Sequence, residues 1–165
     1  MITLSEAKAQ LRVELADDDT RILALIKATI GHIEDKTNRI IDIRTKTITL
    51  DGFGCFIEIP FAPFKKITEI NYLDSDGVEQ TLHSNAYRVD TRKLFAVVHP
   101  VYGGSWPEVS AVPESVTVTC EVGYDFHPEA LKLAGLLLIE HWYYDTGADM
   151  KAVESLVSPY RVYLG

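Results

Sequence analysis

The side chains able to support acid-base, nucleophilic or metal chemistry are five histidines, two cysteines and 24 carboxylates, and chemistry requires that some of them converge. His32, His83, His99, His127 and His141 fall in separate predicted elements, and none stands in His-Glu-x-x-His or a comparable ligand spacing. His141 follows Glu140, but adjacent residues on a helix point to different faces, so His141 reads as a partly buried helix histidine. Asp74-Ser75-Asp76-Gly77 opens like a calcium loop, yet no Glu follows at the twelfth position, and a hairpin turn is the better reading. Gly52, Gly54, Gly103 and Gly104 match neither the phosphate-loop nor the dinucleotide fingerprint. Ser110, Ser115 and Ser155 lack a nucleophile elbow and a companion base. Cys55 and Cys120 stand in separate strand-like segments and read as small buried hydrophobes rather than as a disulfide or metal pair. The sequence therefore offers no catalytic, cofactor-binding or metal-binding set. The enzymatic alternative is a pair assembled by the fold, such as His127 with Glu129 or Asp125.

Composition narrows the class further. With 165 residues, 47% apolar and 24% charged, the chain is long enough for one domain with a real core. No window approaches the length of a membrane span, and the start Met1-Ile2-Thr3-Leu4 lacks the basic flank and apolar run of a signal peptide. The expectation is a cytoplasmic protein with no membrane partner. A formal charge of -8 with scattered basic residues argues against binding by phosphate neutralisation, although an acidic surface suits a wall that DNA slides past.

The elements that would position any site can be read in order. Thr3-Leu4-Ser5-Glu6 is a capping box, which predicts a helix from about Leu4 to Val13. Asp17-Asp18-Asp19 offers an N-cap and favourable charge to a second helix, whose Ile22, Leu25, Ile26, Ile30 and Ile33 recur at helical spacing up to Thr37. From Asp42 the period changes to alternation, with Thr45, Thr47 and Thr49 opposite Lys46, Ile48 and Leu50. Further strands are expected over 55–59, 67–73, 87–90, 94–98 and 116–122, giving an antiparallel sheet of about six short strands. Pro128 opens a last helix carrying Leu131, Leu133, Leu136, Leu137, Leu138, Ile139, Trp142 and Tyr143, apolar nearly all round and hence enclosed by its own domain or by other chains. The fold class is α+β: two N-terminal helices and a long C-terminal helix form a bundle, with the sheet inserted between them. As a single domain, 1–165, it has a helical part at 3–38 and 128–147, a β insertion at 43–122 and a C-terminal tail at 153–165.

Two features suggest contacts with other chains. The tail carries Tyr160, Arg161 and Tyr163, residue types enriched at interface hot spots; core packing with a terminal strand is the alternative. The irregular loop Tyr102-Gly103-Gly104-Ser105-Trp106-Pro107 reads as a lid on the sheet or a docking loop. Trp106, Trp142, Tyr160, Arg161 and Tyr163 are thus the candidate interface residues. A small-ligand or peptide-binding module using the sheet face and the Trp106 loop is the competing function.

Several local strings and their order resemble the gp6-like head-tail connector, or adaptor, family of tailed phages and prophages. They are Ile2-Thr3-Leu4-Ser5-Glu6-Ala7-Lys8, Leu11-Arg12-Val13, Asp17-Asp18-Asp19, Leu50-Asp51-Gly52-Phe53, Ile59-Pro60 to Pro63, and Tyr72-Leu73-Asp74-Ser75-Asp76-Gly77. Ser105-Trp106-Pro107, Val122-Gly123-Tyr124, Pro128-Glu129-Ala130-Leu131-Lys132 and Ser158-Pro159-Tyr160-Arg161 complete the series, and the chain departs from the usual pattern between Gly147 and Ser155. The resemblance implies a non-enzymatic virion subunit made in the bacterial host cytoplasm, without cofactors. It further implies a ring of like subunits, dodecameric in the virion, below the portal protein. Such a ring extends the DNA channel without binding DNA specifically and docks a stopper or tail-completion protein. A ring built from head-to-tail contacts needs two different complementary patches per subunit.

Overall fold

The computed structural model describes residues 1–145 and 150–163; the expected helix end at 147, the start of the departure at Gly147, and Leu164 lie outside the described residues. The elements group into two compact units, one made of Met1–Ile41 with the chain from Tyr124 onward, the other of Asp42–Gly123.

The first unit is helical, with α1 at Leu4–Leu11, α2 at Asp19–Thr37, α3 at Glu129–Tyr144 and α4 at Met150–Val157. The capping box at α1 is formed as its residues require. The Glu6 N–H donates to Thr3 Oγ1 at 3.2 Å, and the Thr3 N–H donates to the Glu6 carboxylate at 2.9 Å. Glu6 also pairs with Lys132 of α3. The Lys132 hydrogen bond, followed by those from Thr3, lowers the Glu6 carboxyl from 4.5 to about 2. The chain leaves α1 through Arg12 in the left-handed region, a residue before the expected Val13. At α2 the acidic run behaves differently from expectation: Asp18 makes no side-chain cap and instead accepts from the Tyr143 hydroxyl at 2.6 Å, while Asp19 pairs with Lys8 at 2.7 Å. Partners brought in by the fold outcompete the local backbone amides for these carboxylates.

The apolar spacing of α2 is used as read. Ile22 and Ile26 pack with Ala7 and Leu11 of α1 and Ile139 of α3, whereas Ile33 packs with Leu131, Ala134 and Leu138 of α3 and Val153 and Val157 of α4. Contact with three helices explains why α3 is apolar on most faces, and Leu133 alone among its leucines is exposed. Gly135 is where the packing is closest. A Cβ there would lie 2.6 Å from Ile2 Cδ1, 3.0 Å from Met1 Cε and 3.1 Å from Thr29 Cγ2. The expected tail at 153–165 begins instead as helix: Val153, Leu156 and Val157 share one face of α4, and a 3-10 turn at Ser158–Tyr160 follows.

The second unit contains β1 (Arg44–Leu50), β2 (Ile57–Glu58), β3 (Phe64–Leu73), β4 (Glu79–Thr81), β5 (Tyr87–Asp90), β6 (Val97–Pro100) and β7 (Val116–Val122). All pairings are antiparallel and fall in two sheets, ordered β1-β7-β3-β4 and β2-β6-β5. The strand beyond the six read from sequence is β4, the return arm of the Asp74–Gly77 hairpin. There Asp74 accepts from the amides of Asp76 and Val78, and Gly77 adopts φ +77°. Alternation in β7 buries Val116, Val118, Cys120 and Val122 completely and turns Thr117 and Thr119 outward beside Thr47 and Thr49 of β1. Cys55 corrects the sequence reading: it is exposed, because β2 begins only at Ile57. Cys120 is buried, and burial pushes its thiol pKa up. At the exit of this unit Gly123 takes φ +116°, and a Cβ on it would stand 2.7 Å from the Asp42 carbonyl oxygen, so no larger residue fits without moving backbone.

Gly135→Leu, too large to be met by moving the chain ends of Ile2 and Met1, is expected to cost about 1–3 kcal/mol through overpacking against Ile2 and Thr29, read as a lower denaturant midpoint with unchanged slope; an unchanged midpoint would contradict the close packing. The Glu6 carboxylate is favoured by folding, so its contribution is complete above pH 4.5 and is lost as pH falls toward 2. Glu6→Gln is therefore expected to lower stability at pH 7 and to flatten its decline between those pH values, as followed by denaturant titration at each pH. Parallel curves for the two proteins would contradict the assignment.

Candidate assembly surfaces

The residues proposed for contact with other chains are mostly engaged within this one. Trp106 is half-buried and stacks on Phe53, with centroids 4.7 Å apart and planes inclined by 8°, while Phe53 meets the edge of Tyr72 at 5.7 Å. Phe53 is only 5% exposed, so the Trp106 loop covers it as a lid. The indole Nε1 is buried and has no hydrogen-bond partner, an uncommon cost for a native side chain. Trp142 is half-buried, packs on the core shared by α2, α3 and α4, and meets His32 edge-on at 5.8 Å.

The tail residues form a strap over the end of α2. The last turn of any helix leaves carbonyls without intrahelical partners. Here the Val162 N–H donates to the Thr37 carbonyl at 2.8 Å, and Arg161 Nε donates to the Lys36 carbonyl at 3.1 Å. In the reverse direction Asn38 Nδ2 donates to the Val162 carbonyl at 2.8 Å, and Arg39 Nε donates to the Tyr160 carbonyl at 2.7 Å. Arg39 also reaches the Tyr124 hydroxyl at 3.2 Å, and burial raises the Tyr124 pKa. Arg161 pairs with Glu154 of α4, and the Tyr160 ring packs on the core. Of the five candidates only Tyr163 projects, at 85% exposure.

Sequence reasoning missed Phe126, which is 91% exposed, and did not single out Tyr102, which is 99% exposed in the Trp106 loop. Both are lone aromatics among polar or small residues, with no periodicity to mark them. Between α2 and α4 lies an open groove of 570 Å³, with Met150, Val153 and Val157 on its wall and His32, Lys36 and Glu154 around it. Among the described residues no group of three His, Cys, Asp or Glu side chains is placed to hold a metal ion. No helix among them is long and apolar enough to cross a membrane.

Arg39→Ala is expected to release the strap, removing bonds worth about 1–3 kcal/mol and speeding amide exchange at Val162 relative to the amides of β7. Unchanged exchange at Val162 would show that the strap holds without Arg39.

Comparison with known proteins places this architecture. Residues 1–70 match the family model described as phage gp6-like head-tail connector protein. No curated protein sequence matches the chain. Among solved structures, a chain from the neck of an empty GTA particle computed with C6 symmetry matches with a TM-score of 0.76 and 21% identity, over 99% of this chain and 91% of that one. A chain from the virion of a native gene transfer agent particle matches with the same TM-score, identity and coverage. A chain from the neck of a native GTA particle computed with C12 symmetry matches with a TM-score of 0.73 and 21% identity, over 98% and 89% of the two chains. In sequence over its first 70 residues the chain is similar to phage gp6-like head-tail connector proteins, and in fold over nearly its whole length it is similar to chains in the neck and virion of gene transfer agent particles.

Proposed function

We propose that this protein is a non-enzymatic structural subunit of a head-tail connector in a phage, prophage or gene transfer agent particle. Copies of the chain form a ring at the neck, on the portal protein, and the ring docks a stopper or tail-completion protein on its far side. The observation that carries this reading is the coincidence of two similarities. The connector family model covers the first 70 residues, and neck subunits share the fold over 98% or more of the chain.

The chemistry of the chain agrees. A net charge of -8 disfavours retention of DNA by a surface it must pass, because binding by phosphate neutralisation needs clustered cations. Large aromatic side chains at 85% exposure or more, Tyr102, Phe126 and Tyr163, offer anchors for neighbouring chains. Twelve copies per ring is the stoichiometry the proposal takes.

Native mass spectrometry of the purified chain, alone and mixed with the portal protein of the same particle, tests the reading. A closed ring of twelve, alone or only on the portal, is the expected result. A monomer that ignores the portal would overturn it.

A further inference from the structure

Two surfaces in this chain are complementary in charge, and each has an exposed apolar residue among the charges. The first is the connection between α1 and α2, where Glu14, Leu15, Ala16 and Asp17 are all exposed and Leu15 reaches 72%. This connection is held in shape: Lys8 Nζ donates to the Leu15 carbonyl at 2.9 Å and pairs with Asp19 at 2.7 Å. It is an acidic knob with a leucine at its tip, pinned by a lysine that takes its backbone and leaves Glu14 and Asp17 outward.

The second surface is the outward face of the sheet β2-β6-β5. Ile57 and Val98 are buried on the inner face, so the residues alternating with them point out. Arg88 of β5 lies directly across from His99 of β6, and the His99 ring lies 5.9 Å from that of Phe56, just before β2. Phe56 is 51% exposed and Arg88 is exposed, so an aromatic, an imidazole and a guanidinium form one row across the sheet. The β5–β6 connection adds exposed Lys93 and Leu94, together with Arg92, which is held on Asp90. Three of the 16 basic residues thus stand between positions 88 and 93, against Asp90 in the same stretch and exposed Glu58, which alternation turns to the same side as Phe56, so this face carries a small net positive charge on an acidic chain.

We infer that these two surfaces are the complementary halves of the contact between neighbouring copies in the ring, the Leu15 knob of one copy seating on the Phe56–His99–Arg88 face of the next. The inference rests on the ring reading given above. Contact between two different patches on each copy is what head-to-tail assembly requires. Apolar residues central to each patch, with charges of opposite sign around them, match the anatomy of a protein interface. DNA is the weaker occupant for the basic face. Exposed Phe56 and Leu94 gain little from a phosphate backbone, and Arg92 is already paired with a carboxylate.

The test uses Arg88→Glu with Lys93→Glu, Glu14→Lys with Asp17→Lys, and the quadruple variant, each as full chain, scored by native mass spectrometry alone and on the portal. Each double variant sets like charges against each other and is expected to raise the concentration needed for ring formation roughly ten-fold or more. The quadruple variant is expected to restore assembly. An equimolar mixture of the two double variants is expected to give rings in which they alternate. Wild-type chain that never forms rings would overturn the ring reading and this pairing with it. Wild-type rings unmoved by both reversals would overturn the pairing alone. Rings that persist while Arg88→Glu with Lys93→Glu abolishes salt-dependent retention of double-stranded DNA would reassign the basic face to DNA.

Discussion

The seating of α3 against α1, α2 and α4 is the constraint on which the helical unit depends. The chain builds α1 and α2, makes the entire β unit, and only then supplies the most apolar helix of the fold. Burial of Leu131, Ala134, Leu138 and Ile139 provides the driving force, since each large side chain removed from water contributes about 1.5–3 kcal/mol. Apolar burial is non-directional, and polar ties set the rotation of the helix. Lys132 meets Glu6, Glu140 accepts from Gln10 at 2.6 Å, and the Tyr143 hydroxyl donates to Asp18. Arg21 then lies over the Tyr143 ring at 4.6 Å and donates to its carbonyl at 3.0 Å, while the Tyr144 hydroxyl donates to the Leu11 carbonyl. Gly135 sets the depth, because a bulky side chain there would hold α3 away from Ile2 and Thr29. The two ends of the insertion are closed by the Tyr124 N–H donating to the Ile41 carbonyl at 3.1 Å, so the return of the chain is fixed before α3 begins.

The same economy governs the tail. Aromatic and arginine residues near a chain end suggest an anchor for a partner, yet here Arg161 and Val162 donate to the Lys36 and Thr37 carbonyls that the end of α2 leaves open, and the Tyr160 carbonyl accepts from Arg39. The large apolar side chains left most open to solvent among the described residues include Tyr102, Phe126, Tyr163 and Leu15, with Phe56 half-exposed.

Much of the fold was legible because its signals are local. The Thr3–Glu6 capping box, the isoleucine spacing of α2, the threonine alternation of β1 and the Asp74–Gly77 turn each express a rule that spans only a few residues, and each formed as read. The failures came where distant groups competed. Asp18 abandoned its capping role because Tyr143 arrives from α3, and Cys55 was left outside because β2 starts only at Ile57. The tail concealed α4, a single short helix whose burial depends on α2 and α3. The division of the strands into two sheets depends on pairings such as β1 with β7, which no local pattern records. The contact residues were the least legible part: Trp106 and Tyr160 have the right chemistry for an interface, and no local pattern records that Trp106 also stacks on Phe53 and that Tyr160 also packs on the core shared by α2, α3 and α4.

The most direct test of the connector role is electron cryomicroscopy of particles produced by a strain carrying this chain, with the neck reconstructed to a resolution that traces helices. The expected result is a ring of copies of this fold beneath the portal, around the path of the DNA. Particles whose necks are complete and contain no density for the fold would contradict it.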